Sequence, residues 1–257
     1  MTDITRLRHA LRELGIQYGG ILMVHSSLRG TGLTPAAMSD ALRDVLGPDG
    51  TLVVPAFTPE NSDTSAAHHR LTQGMTEQEK SEFRAAMPPF EADATPCPTM
   101  GALAEHIRTT PGAVRSAHPQ TSFAAIGPRA AELLADHDPH CHLGERSPMA
   151  RLYVADAQVL LFRVGFESCS AFHLAEYRTT PPPPTRTYRC VVDRKGHWIS
   201  YEDAVLDDSD FAELGRRLPR ALLSEREIAG RGVFLFGMRD TVNAVGVEMS
   251  GYRQGMP

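Results

Sequence analysis

Apolar residues recur along this chain with two different periods. Leu7, Leu11, Leu14 and Ile16 form a helical stripe that stops at Gly19-Gly20. Ile21-Leu22-Met23-Val24 is short and unbroken, as in a strand buried on both faces. It runs into His25-Ser26-Ser27-Leu28-Arg29-Gly30. Thr34-Pro35 then opens a helix, with a hydroxyl N-cap followed by proline in the first turn. That helix continues through Ala41, Leu42 and Val45 to Gly47. The next strand is Gly50-Thr51-Leu52-Val53-Val54-Pro55. A strand, a helix and a strand in so short a span predict a parallel βαβ unit, hence an α/β fold.

The rhythm breaks across 58–98, a polar, acid-rich insertion holding Met87-Pro88-Pro89-Phe90 and Thr95-Pro96-Cys97-Pro98. Insertions of this length are usually functional or flexible. Helix periodicity resumes over Met100–Ile107 and closes at Pro111-Gly112. Arg115-Ser116-Ala117-His118-Pro119 leads into a strand at Ser122–Ile126, and a helix follows from Pro128 to about Ala135. Val159–Val164 reads as another buried strand, ended by Gly165. Ser168 and Ser170 are candidate N-caps for the helix beyond it. Pro181–Pro184 can be neither helix nor central strand. Thr187–Asp193 and His197–Tyr201, joined by Arg194-Lys195-Gly196, predict a hairpin. Helices near Asp210–Leu223 and around Val242 complete the chain.

Composition narrows the functional classes. With 257 residues, 42% hydrophobic and 22% charged, the chain can build one large core. A net charge of −5 argues against a nucleic-acid partner and allows a cationic small substrate. No apolar run approaches the roughly 20 residues of a membrane span. The charged N-terminus lacks an apolar signal core. Cys97, Cys141, Cys169 and Cys190 lie far apart and form no CxxC, which predicts free thiols in a reducing cytoplasm.

The stretch Gly165–Arg178 concentrates the candidate chemistry. His173 and Glu176 are three apart, so on a helix they share a face. A carboxylate holding one imidazole nitrogen raises the basicity of the other, a general-base arrangement. The competing reading is a surface ion pair. Cys169, four residues before His173, is either a nucleophile or a small packed hydrophobe. The His25-Ser26-Ser27 turn follows a strand, where open α/β sheets bind ligands, and would suit phosphate or pantetheine. No Walker A and no GxGxxG is present. His118-Pro119 by itself reads as a turn. His137-Asp138-Pro139-His140-Cys141-His142 has the composition of a metal site but the spacing of no zinc template, so no metal is expected. Glu60, Asp63, Glu91, Asp93, Glu202 and Asp203 are candidate receivers of a polycation, or solvated surface charges.

Six segments, in order, carry a family resemblance: MVHSSLRGTG (23–32), GTLVVPAFT (50–58), MPPFEADATP (87–96), MGALAEHIRTTPGAVRSAHPQTSFAAIGP (100–128), LGERSPMARL (143–152) and VLLFRVGFESCSAFHLAEYR (159–178). Together they resemble the aminoglycoside 3-N-acetyltransferases, whose fold is distinct from the GNAT fold. The resemblance implies one domain over 1–257, a three-layer αβα fold around a central mixed, largely parallel sheet. The 58–98 insertion would lie on the substrate side, and 185–257 would add a hairpin and helices. It implies acetyl transfer from acetyl-CoA to the 3-amino group of a deoxystreptamine ring, with His173 as base and Glu176 behind it. CoA is expected along His25, Ser26, Ser27, Leu28 and Arg29 and near His118 and Ser122. Asp63, Glu91, Glu167 and Ser168 are expected to meet the acceptor. The protein would act in the cytoplasm as a monomer or homodimer. Alternatives are an N-acetyltransferase for another amine, or a member that binds without turnover. The chain departs from the family pattern at Arg163, where glycine is usual, at Glu167, at Cys169-Ser170, and at Glu91, where aspartate is usual.

Overall fold

The apolar runs pair into one sheet. The computed structural model describes residues 3–192, 194 and 196–254. Its elements, in order, are α1 (Ile4–Leu14), β1 (Ile21–Ser26), α2 (Pro35–Leu46), β2 (Thr51–Pro55), α3 (Ala66–Leu71), α4 (Glu77–Ala86), α5 (Ala102–Thr109), β3 (Val114–Arg115), β4 (Phe123–Ile126), α6 (Ala130–Leu134), α7 (Pro148–Val154), β5 (Gln158–Phe162), α8 (Ala171–Tyr177), β6 (Thr185–Val191), β7 (Trp198–Ala204), α9 (Phe211–Arg217), β8 (Ser224–Ile228), β9 (Arg231–Gly237) and α10 (Met238–Gln254). Strand order in the main sheet is β3-β4-β2-β1-β5-β9-β8. β1 is parallel to both β2 and β5, and every pairing outside that centre is antiparallel.

The centre has helices on both faces, and its side chains alternate between them. Leu22, Val24, Leu52, Val54, Leu160 and Phe162 pack with α1, α2 and α5. Met23, Val53, Val159 and Leu161 pack with α6, α7, α8, α9 and α10. This burial on both faces is why β1, β2 and β5 read as continuous apolar runs. The result is the expected three-layer αβα arrangement.

The structure corrects several details. The 58–98 insertion contains α3 and α4, and α4 opens with a reciprocal capping box between Thr76 and Glu79. The insertion is fastened to the β6–β7 hairpin: Asn61 Nδ2 donates to the Val191 carbonyl at 2.7 Å, and the Phe90 amide donates to Val192 at 3.0 Å. The hairpin begins two residues earlier than expected, with Thr185 opposite Ala204 and Val191 opposite Trp198. Asp193 and Lys195, assigned above to this hairpin, lie outside the described residues. The helix expected through Leu223 ends at Arg217, and β8–β9 follows. β8 is an exposed edge strand, Ser-Glu-Arg-Glu-Ile, so it carries no apolar alternation to read. Its two-residue turn, Ala229-Gly230, has positive φ at both positions (49° and 75°), as a type I′ turn requires. Ser170 sits at the N-cap of α8 and Ser168 in the turn before it. Ser170 makes no capping bond through its hydroxyl, and its backbone is already in the right-handed helical region.

The His137–His142 loop is a structural tie. His142 Nδ1 meets Asp203 Oδ2 at 2.7 Å, and the Tyr177 hydroxyl donates to the same oxygen at 2.7 Å. His137 Nε2 lies 3.1 and 3.0 Å from the carbonyls of Cys141 and His142. Among the described residues no group of three His, Cys, Asp or Glu side chains could hold a metal. The loop, the hairpin and α8 are thus joined through one buried polar network, and Tyr177 brings α8 into it.

Burial pushes His137 down to about 4 and holds His118 and His142 below the usual imidazole range. These rings are neutral when folded, whereas unfolded histidines take a proton near pH 6.5. Their contribution is complete above about pH 6.5 and lost as pH falls toward 4. A ring like His137 then costs about 2 kcal/mol at pH 5. Thermal unfolding should show a lower midpoint at pH 5 than at pH 7.5, with proton uptake on unfolding. A flat midpoint over that range would contradict neutral burial.

Candidate active site

A cleft of about 840 Å³ opens at the carboxyl ends of β1, β2 and β5. That is where a parallel sheet centre leaves its loops free for ligands. One wall is the turn after β1, His25 to Arg29. The Ser27 amide donates to the Phe162 carbonyl at 2.9 Å, which fixes the turn against β5. The segment after β5 also lines it, with Glu167, Ser168, Cys169 and Ser170, followed by His173 on α8.

His173 Nδ1 lies 2.9 Å from Glu176 Oε2, and its ring packs 4.7 Å from that of Phe211. Facing a carboxylate, Nδ1 carries the proton, a tautomer assigned from this contact. Nε2 then holds the lone pair and has no partner among the described residues. Glu176 has no exposed surface. Its second oxygen, Oε1, accepts from the Asp207 amide at 3.0 Å and from Arg253 Nη1 at 2.6 Å. The pair is therefore a buried arrangement on the wall of a cleft, unlike a surface ion pair on a solvated helix face.

His25 closes the floor beside this dyad. It is the fifth residue of β1, opposite Leu161. Burial, with His173 nearby, pushes it down to about 4, so it is neutral at physiological pH. Its Nε2 is buried without a partner among the described residues. Cys169 is fully buried, and burial pushes its thiol up to about 12. At neutral pH it holds almost no thiolate, which favours the packed hydrophobe over the nucleophile.

Other candidates lie elsewhere. His118 is fully buried outside the cleft, and its Nδ1 accepts from the amides of Gln120 and Thr121 at 3.1 and 3.0 Å. Gln120 and Thr121, not His118, reach the cleft wall. Ser122 is also fully buried, donating to the Ala56 carbonyl at 2.8 Å and accepting from Arg115 Nε at 2.9 Å. Asp63 lines a separate cavity of about 400 Å³ with His68 and Arg84, and pairs with Arg189 at 3.3 Å. Glu91 is exposed away from the cleft in a turn where its amide donates to Thr95 Oγ1. Glu60, Asp93 and Glu202 do not line the cleft either, and Asp203 belongs to the histidine network. The carboxylates that do reach the cleft, among the described residues, are Glu167 and Asp208, and the arginine is Arg29. Asp208 and Arg253 escaped the sequence reading, because each is brought to the site by long-range packing that local spacing does not report.

Residues 23–249 match the Aminoglycoside 3-N-acetyltransferase family. The chain is 33% identical over 211 residues to the SPbeta prophage-derived aminoglycoside N(3')-acetyltransferase-like protein YokD of Bacillus subtilis (strain 168), covering 80% of this chain and 76% of that one. It is 31% identical over 233 residues to aminoglycoside N(3)-acetyltransferase III of Pseudomonas aeruginosa, covering 84% and 83%. Among solved structures, YokD from Bacillus subtilis superposes with a TM-score of 0.89 at 27% identity, covering 99% of this chain and 95% of that one. AAC-IIIb as a binary complex with CoASH superposes at 0.82 and 27% identity, covering 100% and 98%. AAC-VIa bound to sisomicin superposes at 0.79 and 27% identity, covering 98% of each chain. The fold, the cleft at the ends of its parallel strands and these likenesses agree: this chain belongs to the aminoglycoside 3-N-acetyltransferase family of acetyl-CoA-dependent acetyltransferases.

Proposed function

We propose that this protein acetylates the 3-amino group of a deoxystreptamine aminoglycoside, using acetyl-CoA and His173 as general base. The observation that carries this reading is the His173–Glu176 contact on the cleft wall, with Nε2 left free. An amine protonated at neutral pH is not a nucleophile, so its proton must leave before attack. Nε2 takes that proton while Glu176 stabilises the imidazolium through Nδ1. The nitrogen attacks the thioester carbonyl, the C–N bond forms, the C–S bond breaks, and CoA leaves as its thiolate or thiol. Donors from the Ser168–Ser170 segment are suited to the transient oxyanion.

Charge sorts the two substrates along the cleft. Arg29, in the turn after β1, favours the phosphates of CoA. Glu167 and Asp208 favour a cationic acceptor. The sisomicin-bound relative supports an aminoglycoside as the acceptor. A second reading, acetylation of a smaller amine, is favoured by the count of lining carboxylates: two among the described residues. We place the reaction in the cytoplasm, in keeping with four buried, unpaired cysteines.

His173→Ala should lower turnover by about two orders of magnitude or more, with acetyl-CoA binding kept within about threefold by calorimetry. A variant of near-normal rate would remove His173 from the role. Glu167→Gln and Asp208→Asn should each raise KM for gentamicin-, kanamycin- or apramycin-type acceptors by roughly tenfold, a loss of about 1.4 kcal/mol of binding, and leave KM for acetyl-CoA unchanged. Thiol release with none of those acceptors, but with simple diamines, would favour the smaller-amine reading. Cys169→Ala should retain activity, and intact mass after incubation with acetyl-CoA alone should show no acetylated protein.

A further inference from the structure

The C-terminal helix reaches Glu176 through Arg253. Met238, Val242, Val245 and Met249 are buried on α10 at helical spacing, and Arg253 falls one turn further along the same face. Its guanidinium meets three groups from two other segments. Nη1 donates to Glu176 Oε1 at 2.6 Å. Nε and Nη2 grip Asp210 as a fork, at 2.7 and 2.9 Å. Nη2 also donates to the Asp207 carbonyl at 2.8 Å. The fork fixes the plane of the guanidinium, and that plane fixes Glu176. With Oε1 held by Arg253 and the Asp207 amide, Oε2 has one orientation, on His173 Nδ1.

We propose that Arg253 is a positioning residue for the acetyl-transfer reaction: anchored by Asp210, it locks Glu176 so that His173 keeps its proton on Nδ1 and its lone pair on the cleft side. The proposal rests on reading His173 as the base. A carboxylate with one oxygen released can rotate or be solvated, and the ring then samples the other tautomer, in which Nε2 carries a proton and cannot accept one. A misplacement of this kind can cost up to roughly 100-fold in rate without touching substrate binding.

The test is ¹⁵N-histidine NMR on the full chain, with the His173 signals assigned by their loss in His173→Gln. Thiol release from acetyl-CoA with gentamicin is measured in parallel. Wild type should show the Nδ1–H tautomer alone. Arg253→Met should show a mixture of tautomers, with kcat down roughly 10-fold to 100-fold and KM for acetyl-CoA unchanged. Asp210→Asn, which frees the guanidinium from its fork, should show a smaller share of the second tautomer, and Arg253→Lys should recover part of the tautomer fixation. If Arg253→Met does not fold, Asp210→Asn and Arg253→Lys still carry the test. An Arg253→Met protein with the wild-type tautomer would overturn the proposal, as would Asp210→Asn and Arg253→Lys indistinguishable from wild type. Full activity in His173→Ala would instead overturn the base reading, leaving the tautomer result to stand by itself.

Discussion

A carboxylate with no exposed surface is costly unless other groups replace its water, and Glu176 is such a group. Three parts of the chain supply the replacements: the imidazole one helical turn before it, the amide of Asp207 beyond β7, and the guanidinium of Arg253 at the end of α10. Breaking a buried pair of this kind typically costs about 3–5 kcal/mol. Here the lower end applies, because the Arg253 side chain keeps 26% exposure. The requirement binds the C-terminal third of the chain to the site. The β6–β7 hairpin, the segment after it and α10 must dock before Glu176 is satisfied, and only then is His173 held.

The sheet sets where this happens. Its parallel centre sends β1, β2 and β5 in one direction, so their carboxyl ends deliver the His25 turn and the Cys169–His173 segment to one cleft. The antiparallel margins do other work. The segment before β4 carries Gln120 to the histidine network, and β9 joins β5 to the edge hairpin. The network also holds α8, through Tyr177 on Asp203. The helix that carries His173 is thus gripped at Glu176 and at Tyr177, next to each other in sequence and served by different elements.

What the sequence revealed follows the range of the forces involved. Strand runs buried on both faces, proline-marked helix starts and the i, i+3 spacing of His173 and Glu176 are local, and each stands where its pattern placed it. The likeness over the first 180 residues carried the family. β8 was missed because an edge strand such as Ser-Glu-Arg-Glu-Ile has no face to bury. Asp63 and Glu91 were expected at the acceptor from the family likeness and their charge, yet the insertion folds onto the hairpin and neither lines the cleft. His118 and Ser122 flank residues that do face it, and their hydrogen bonds turn them inward. Arg253 had no local mark at all: an arginine near a helix C-terminus is ordinary until its distant partners are known.

Arg163 shows how a side chain is accommodated where the backbone favours glycine. Its φ of 61° takes the chain through the left-handed region as β5 ends. A side chain there costs about 1–2 kcal/mol in backbone strain. In return the buried guanidinium donates to the carbonyls of Arg29 and Ala229. Those two bonds, each worth roughly 1.5–3 kcal/mol, work against the strain and against the cost of burying a cation whose Nε has no partner among the described residues. They also join two elements. Arg29 ends the turn after β1, and Ala229 is the first turn residue of the β8–β9 hairpin, so one side chain ties a cleft wall to the edge of the sheet. Glycine at this position would relieve the backbone but could not make that tie: this chain trades local backbone ease for a cleft-lining turn anchored to the sheet.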